Sequence, residues 1–227
     1  MDFISTIRSS VYEEVFTLTA EHDELDQQQR AELLHKKRTL LSQYCRTFHH
    51  GVFPIRDATF VFQYYSKYYT EFGDIIKLLL YKCRDLNVDE CALAVSRTLM
   101  SLYDEVTAKG SEFPLSDAFC QLRDLAKKFA AAFSSDHSLN RDVVNLIIRR
   151  GIDYVFVNYD DNESRQGTLT PIGMHYLDVI IEFNENLIRE DKVQVMRYLD
   201  QYGPPTLPPS KDSAWKSYRL YRNSLAS

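Results

Sequence analysis

The side chains that could support metal chemistry in this sequence are one histidine pair and one acidic loop. His49 and His50 are adjacent, so on a helix their rings point in different directions, and no carboxylate or cysteine lies nearby at ligand spacing. Residues 160–163, Asp-Asp-Asn-Glu, resemble part of a calcium-binding loop, but the glycine comes at Gly167 and no second acidic ligand follows at the required distance. We therefore predict no metal site and no cofactor.

Motifs of enzyme active sites are absent from the sequence as well. The chain contains no glycine-rich loop that could cradle phosphates, no nucleophile elbow and no recognisable acid–base pair. We therefore predict a non-enzymatic protein that presents a surface to other macromolecules.

A run of three positive side chains, Lys36, Lys37 and Arg38, is preceded by Arg30 and His35. The surrounding apolar residues repeat at helical spacing, which predicts that the run lies on a helix and extends beyond its buried stripe. Charged residues are ordinary at exposed helical positions, so a solvated face is one interpretation. Several fixed positive charges on rigid backbone also attract anions, so contact with an acidic peptide or a phosphate is the other.

Four tyrosines form a second unusual group: Tyr64, Tyr65, Tyr68 and Tyr69 are spaced i, i+1, i+4 and i+5. On a helix this spacing predicts one broad aromatic face that ends at Phe72. Buried tyrosines need partners for their hydroxyl groups, and tyrosine is also a favoured anchor at protein interfaces. Core packing and a peptide-binding groove are both open interpretations.

Arg149 and Arg150 follow an apolar helical pattern. Positive charge would suit a helix C-terminus at this position, but the apolar residues from Ile152 to Phe156 indicate that the helix continues. A solvent-facing pair is the default interpretation, and contact with DNA phosphates is the minority one.

Composition favours a folded all-α protein with a substantial core. Hydrophobic side chains make up 44% of the 227 residues, and only 7 glycines and 7 prolines leave the middle of the chain largely free of turn residues. The formal net charge of −5 argues against nonspecific wrapping of nucleic acid by the whole surface. No window approaches the roughly 18 consecutive apolar residues of a membrane span, so we expect none.

The four cysteines of the chain are Cys45, Cys83, Cys91 and Cys120. Each occurs singly within an apolar helical pattern, and no targeting or secretory segment precedes them. We expect reduced, buried thiols in an intracellular protein.

Apolar residues at spacings of three and four predict a series of amphipathic helices. The clearest follows Asn87, which together with Glu90 predicts a capping box. Similar patterns predict helices near residues 3–18, 33–48, 119–133 and 177–188. Short breaks are predicted at residues 51–54, 72–74, 110–114 and 134–138, and a polar loop at 158–173.

Helices of this length, joined by short breaks, form hairpins that cannot bury their apolar faces alone, which favours an α-solenoid. The sequence shows no clean internal repeat, and a compact irregular helical bundle is the alternative. We divide the chain into a first helix with an acidic loop (residues 1–29), a helical-repeat region (30–202) and a proline-rich linker with a C-terminal docking tail (203–227). Whether the tail docks or stays disordered is open.

Several short stretches, taken together and in order, resemble the C-terminal part of the stromal antigen (SA/STAG) subunit of cohesin. They cover most of the chain between Leu33 and Leu225, at residues 35–41, 67–77, 122–130, 182–183, 187–192 and 221–225. The sequence departs from the family in the first thirty residues, in the loop 158–173 and in the proline-rich stretch before Trp215. Family members are several times longer, so the chain is expected to be a C-terminal fragment or a truncated relative.

The resemblance implies a HEAT-type α-solenoid and a nuclear, chromosome-associated scaffold without enzymatic activity. Such a subunit binds the kleisin subunit of the cohesin ring, associates with chromatin and supports sister-chromatid cohesion, in mitosis or meiosis. The family's kleisin segment is expected first at Lys36, Lys37 and Arg38, and second at the tyrosine face. Two alternatives stay open: a nucleic-acid-binding module that uses the same basic run with Arg149 and Arg150, and a generic solenoid adaptor for another partner.

Overall fold

Helices make up the regular structure of the protein in a computed structural model that describes residues 3–17, 26–108, 114–156, 171–203 and 213–226. No β-strand occurs within these ranges, and the predicted all-α fold is confirmed. The α-helices are α1 (Phe3–Val11), α2 (Gln27–His49), α3 (Thr59–Phe62), α4 (Tyr69–Leu86), α5 (Val88–Ala108), α6 (Asp117–Phe133), α7 (His137–Phe156), α8 (Pro171–Met174), α9 (Leu177–Ile180), α10 (Arg189–Tyr202) and α11 (Ser213–Ala226). A π-helix at Tyr12–Phe16 and 3₁₀-helices at Ile55–Ala58 and Ile181–Asn186 complete the set.

Two compact units divide the chain, Met1–Cys91 and Ala92–Ser227. The division falls within α5, a position that the sequence did not mark as a boundary. The boundaries at residues 29/30 and 202/203 stay predictions. Neighbouring helices pack against each other within each unit, as expected of an α-solenoid, and the HEAT-type character of the repeat also stays a prediction.

The first unit is built around α2 and α4, which pack against each other. Asp26 begins α2 with a complete capping box: its carboxylate accepts from the backbone N–H of Gln29, and the Gln29 side chain accepts from the backbone N–H of Asp26. The predicted apolar stripe of α2 is buried from Leu41 to Phe48, whereas Leu33 and Leu34 near its start are only partly buried. The helix ends at a turn in which Gly51 has a φ of 69°, a left-handed conformation that favours glycine.

The predicted helical face of four tyrosines is not helical over most of its length. Residues 63–68 form turns between α3 and α4, so helical spacing does not apply to Tyr64, Tyr65 and Tyr68. The predicted break at residues 72–74 is also wrong, because α4 runs through Gly73 without interruption. A Cβ at Gly73 would lie 3.0 Å from Cδ2 of Tyr69, so the glycine makes room for that ring inside the helix.

Asn87 is the single residue between α4 and α5, and its side-chain oxygen accepts from the backbone N–H of Glu90 at 3.0 Å. This is one half of the predicted capping box. The other half differs, because the backbone N–H of Asn87 donates to the carbonyl of Cys83 at the end of α4. One residue therefore closes one helix and opens the next.

The second unit contains most of α5 and all of α6 to α11. The predicted helix over residues 177–188 is wrong, because α9 ends at Ile180, a 3₁₀-helix follows, and Leu187 has extended backbone. Two amides in the 3₁₀-helix bind neighbouring elements: Asn186 donates to the carbonyl of Ala130 at 2.8 Å, and Asn184 donates to Ser224 at 2.7 Å. These tertiary hydrogen bonds outweigh the apolar periodicity.

The last helix, α11, packs against α8, α9 and α10. Its apolar side chains Tyr218, Tyr221 and Leu225 are buried. The acidic stretch 21–25, most of the loop 158–173 and the proline-rich residues 204–209 lie outside the described residues. No helix in the described ranges is both long and apolar enough to cross a lipid bilayer.

The four cysteines are free thiols, but they do not share one environment. Cys45, Cys83 and Cys91 are buried as predicted, whereas Cys120 is exposed, which corrects the expectation of four buried thiols. Cys120 lies on α6, where the residues on either side of it on the helical wheel face solvent. Burial raises the pKa of Cys45 and of Cys83 to about 12.

Alkylation of the folded protein should distinguish the exposed thiol from the buried ones. At about pH 8, iodoacetamide should modify Cys120 and spare the other three, because buried, protonated thiols are unreactive. Intact-protein mass spectrometry should find one adduct in buffer and four after unfolding in guanidinium. More than one rapid adduct in the folded protein would contradict the burial.

Gly151→Ala should destabilise the second unit, although alanine is the better helix former. A Cβ at Gly151 of α7 would lie 2.7 Å from Cγ2 and 3.0 Å from Cδ1 of Ile180 in α9. Overpacking of this kind costs ~1–3 kcal/mol, against ~1 kcal/mol gained in helix propensity. We expect a net loss of about 1 kcal/mol in the free energy of unfolding, measured by urea denaturation. In a double-mutant cycle with Ile180→Ala the cost should shrink, since the crowding methyl groups are gone.

Candidate functional site

The basic run on α2 separates into one exposed and two partly buried side chains. Lys36 is exposed, whereas Lys37 and Arg38 are half-buried. Consecutive residues on a helix point in directions about 100° apart, so the three cations cannot all point at the same ligand. Their contacts define three different environments.

Lys37 holds the end of the N-terminal π-helix. Its ammonium group donates to the carbonyl of Thr17 at 2.9 Å and to that of Val15 at 3.4 Å. Desolvation by burial lowers the pKa of Lys37, and the nearby Glu14 carboxylate opposes that shift. The side chain therefore donates to backbone carbonyls at a helix end, where such carbonyls lack partners within the helix.

Arg38 joins α2 to the start of α4. Its guanidinium group is bidentate to Asp74, with Nη1 3.0 Å from Oδ1 and Nη2 bonded to Oδ2, and it also donates to the carbonyl of Glu71. The hydrogen bond from Arg38 lowers the pKa of Asp74. The pair is largely exposed to solvent, so its contribution to stability is about 0–1 kcal/mol.

The tyrosines divide between core and surface. Tyr65 is 1% exposed and Tyr68 is 9% exposed. The Tyr68 hydroxyl donates to the carbonyl of Phe16, and the Tyr64 ring stacks on the Phe16 ring at a centroid distance of 4.0 Å. Burial raises the pKa of the Tyr65 hydroxyl above its ordinary value. Tyr69 is 46% exposed and Tyr64 is partly exposed, so the cluster buries Tyr65 and Tyr68 and leaves part of the other two rings at the surface.

A groove between α2 and α4 lies next to these residues. Cys45, Ile75, Leu78 and Leu79 provide apolar walls, and Leu78 is 58% exposed. Polar and positive or titratable side chains complete the lining: Ser42, Arg46, His49 and Lys82. The sequence analysis does not predict this groove, because it places a break at residues 72–74, inside α4. The available signal was the apolar spacing of Ile75, Leu78 and Leu79, read on a helix that continues through Gly73.

Arg149 and Arg150 lie on α7 in the second unit, and the helix continues to Phe156 as predicted. Arg149 is exposed, with its guanidinium carbon 5.6 Å from the centre of the Tyr198 ring. Arg150 is half-buried, and its Nε atom is buried without a hydrogen-bond partner among the described residues. The two arginines are therefore not equivalent, because the Arg149 side chain is exposed to solvent whereas that of Arg150 is half-buried.

A buried Ser-His-Asp group in the second unit has the residue types of a hydrolase triad in a different arrangement. Nδ1 of His175 lies 3.0 Å from Oγ of Ser217, and the Ser217 hydroxyl donates to Asp178 at 2.6 Å. The serine proton thus points at the carboxylate. In a nucleophile–base pair it would point at the imidazole instead. The group attaches α11 to α9, and sequence spacing gave no signal for it. Within the described ranges no cluster of three or more His, Cys, Asp or Glu side chains is arranged to hold a metal ion.

The fold and these surfaces define an all-α protein of packed helices, with grooves between neighbouring helices and basic side chains at their edges. Comparison with known proteins is more specific. Residues 88–227 match the model of the STAG protein C-terminal domain, so the chain belongs to the STAG family. The match begins close to Ala92, where the second compact unit begins.

Relatives extend the similarity into the first unit. Cohesin subunit scc-3 of Caenorhabditis elegans is 34% identical over 204 residues, which cover 90% of this chain and 18% of the relative. Cohesin subunit SA-1 of Xenopus laevis is 31% identical over 207 residues, covering 90% of this chain and 16% of the relative. Cohesin subunit SA-3 of Rattus norvegicus is 31% identical over 172 residues, covering 75% of this chain and 14% of the relative. The chain thus spans less than a fifth of the length of these relatives.

A matched pair of substitutions should separate the structural lysine from the exposed one. Lys37→Met should lower the free energy of unfolding by about 1–2 kcal/mol, because it removes the charged donor from two backbone carbonyls. Lys36→Met should change it by less than about 0.5 kcal/mol, since Lys36 is exposed. Urea denaturation followed by circular dichroism measures both. Equal effects would show that Lys37 does not hold the π-helix.

Proposed function

We propose that this chain is part of a non-enzymatic scaffold subunit of the cohesin complex. The proposal rests on the STAG family match over residues 88–227, and relatives named as cohesin subunits support it. In this role the chain binds the kleisin subunit, associates with chromatin in the nucleus and supports sister-chromatid cohesion. The packed helices supply rigid backbone from which side chains contact an extended partner.

The kleisin contact is proposed on α2 and its groove with α4. Lys36 is the exposed cation of the basic run, and Lys37 and Arg38 contribute their charge from partly buried positions. An extended peptide could place an apolar side chain on Leu78 and carboxylates against Arg46 and Lys82 in the groove, while Lys36, which does not line the groove, would pair with a carboxylate outside it. Charges of this kind mainly steer association and fix orientation, while the apolar anchor supplies burial.

The tyrosine group takes a supporting part in this proposal. Tyr65 and Tyr68 pack in the core and position the start of α4, so their effect on a partner is indirect. Tyr64 is partly exposed and Tyr69 is exposed, so these two rings are available for direct contact. Substitution of Tyr65 or Tyr68 would lower the stability of the protein, so a change in partner binding by such a variant would not report on direct contact.

Charge reversal at Lys36 should weaken kleisin binding without unfolding the protein. We expect Lys36→Glu to raise the Kd for the middle segment of the kleisin by about 3- to 10-fold near 50 mM salt, and by less near 200 mM, because exposed charges are screened. Titration calorimetry at the two salt concentrations measures this. Lys216→Glu makes the same charge change at an exposed position on α11 and should have less than about a 2-fold effect.

Leu78→Ser tests the apolar half of the same contact, because it removes an exposed side chain without changing charge. A loss of affinity that persists at both salt concentrations would support the groove. If neither Lys36→Glu nor Leu78→Ser alters binding while the fold is intact, the kleisin site assignment fails. If the wild-type chain itself produces no binding heat, kleisin binding by this part of the subunit fails.

Direct DNA contact is the second candidate, through Arg149 in the second unit or, separately, through Lys36 in the first. The open charge of Arg149 favours it, whereas the negative net charge of the chain limits it. A phosphate-binding surface would show affinity for duplex DNA that falls steeply with salt, with a slope of about −0.9 per neutralised phosphate. The same titrations with a short duplex in place of the kleisin segment distinguish the two candidates.

A further inference from the structure

A second groove lies in the other unit, between α10 and the end of α11. Its lining combines three cations with apolar side chains: Leu187, Arg189, Lys192, Val193, Met196, Arg197, Leu225 and Ala226. No acidic residue is among these lining residues. On α10 the cations and apolar side chains share one helical face, because positions 189, 192, 193, 196 and 197 are separated by three or four residues.

The three cations differ from three arginines of the same unit that are held in salt bridges. Arg141 is paired with Asp191, Arg123 with Glu182, and Arg222 with Asp200. Arg189, Lys192 and Arg197 form no salt bridge within the described residues, and Arg189 and Arg197 are exposed. Although the formal net charge of the chain is −5, this groove therefore holds a local group of positive charges that are in no salt bridge within the described part of the chain.

The floor of this groove is apolar. Leu187 and Leu225 are buried at its base, Met196 is partly exposed, and Val193 is 46% exposed. Ile188, next to the groove at the start of α10, is 41% exposed. A flexible methionine beside exposed branched side chains is a surface that can accommodate an incoming apolar group.

We propose that this α10–α11 groove binds an acidic peptide segment of a partner protein that also carries apolar anchor residues. Its carboxylates would pair with Arg189, Lys192 and Arg197, and its apolar side chains would pack on Val193 and Met196. A nucleic acid fits less well, because a phosphate backbone would pair with the cations and leave the apolar floor uncovered. This surface is separate from the kleisin contact proposed on α2, and it does not depend on that proposal.

The test uses the 227-residue chain and a fluorescein-labelled peptide of alternating glutamate pairs and leucines, about twelve residues long. A control peptide replaces each glutamate with glutamine, and a short DNA duplex is the competing probe. Fluorescence anisotropy near 150 mM salt measures binding. Arg197→Glu should weaken binding of the acidic peptide at least about 5-fold, and Val193→Ser about 3-fold. Arg97→Glu, the same charge change at an exposed position on α5, should have less than about a 2-fold effect.

Circular dichroism and thermal unfolding check that each variant is folded, which is expected because Arg97, Val193 and Arg197 are all exposed. Preference for the acidic over the glutamine peptide, with the pattern of losses above, supports the proposal. Equal losses from Arg97→Glu and Arg197→Glu would indicate general electrostatics and overturn it. If the duplex binds as tightly as the acidic peptide and Val193→Ser does not change its affinity, the groove contacts phosphates and the proposal is overturned. The proposal is also overturned if no peptide binding is measurable at millimolar concentration.

Discussion

Burial of the apolar stripe on each amphipathic helix is the constraint on which the rest of this structure depends. No helix of this kind is stable alone, so its stripe must lie against a neighbouring helix. In the first unit α2 and α4 cover each other, and in the second unit α6, α7, α9 and α11 form a connected core. The opposite faces of the same helices stay exposed, and the grooves between them become the available binding surfaces.

Polar pairing then fixes which helix packs where. Asp191 is 3% exposed and accepts three hydrogen bonds from Arg141, which joins α10 to α7. A buried carboxylate without such a partner would be strongly unfavourable, so this pairing constrains the packing of the two helices. Asn184 bonded to Ser224, and Ser217 bonded to Asp178, have the same effect on α11.

The same pairing decides which charges are left for function. Lys37 and Arg38 look like an anion-binding cluster in the sequence, but their strongest contacts are internal, to backbone carbonyls and to Asp74. Charge that is already paired contributes little to a new partner, because the old contact must be broken first. The grooves on α2–α4 and α10–α11 combine exposed cations with carbon surface, and both are proposed to bind peptides.

Sequence by itself determined the all-α class, the extent of α5 and α6 to within a few residues, the C-terminal two thirds of α2, and the family. Periodic apolar residues and caps such as Asn87 act locally, so they can be read without knowing the neighbours. Only tertiary structure decided that Tyr65 and Tyr68 are buried in a turn, that α4 continues through Gly73, and that α9 gives way to a 3₁₀-helix at Ile181. Each of these depends on contacts with residues distant in the chain, such as Phe16 for Tyr68 and Ala130 for Asn186. The groove on α10–α11 likewise joins residues more than 25 positions apart, which no local pattern brings together.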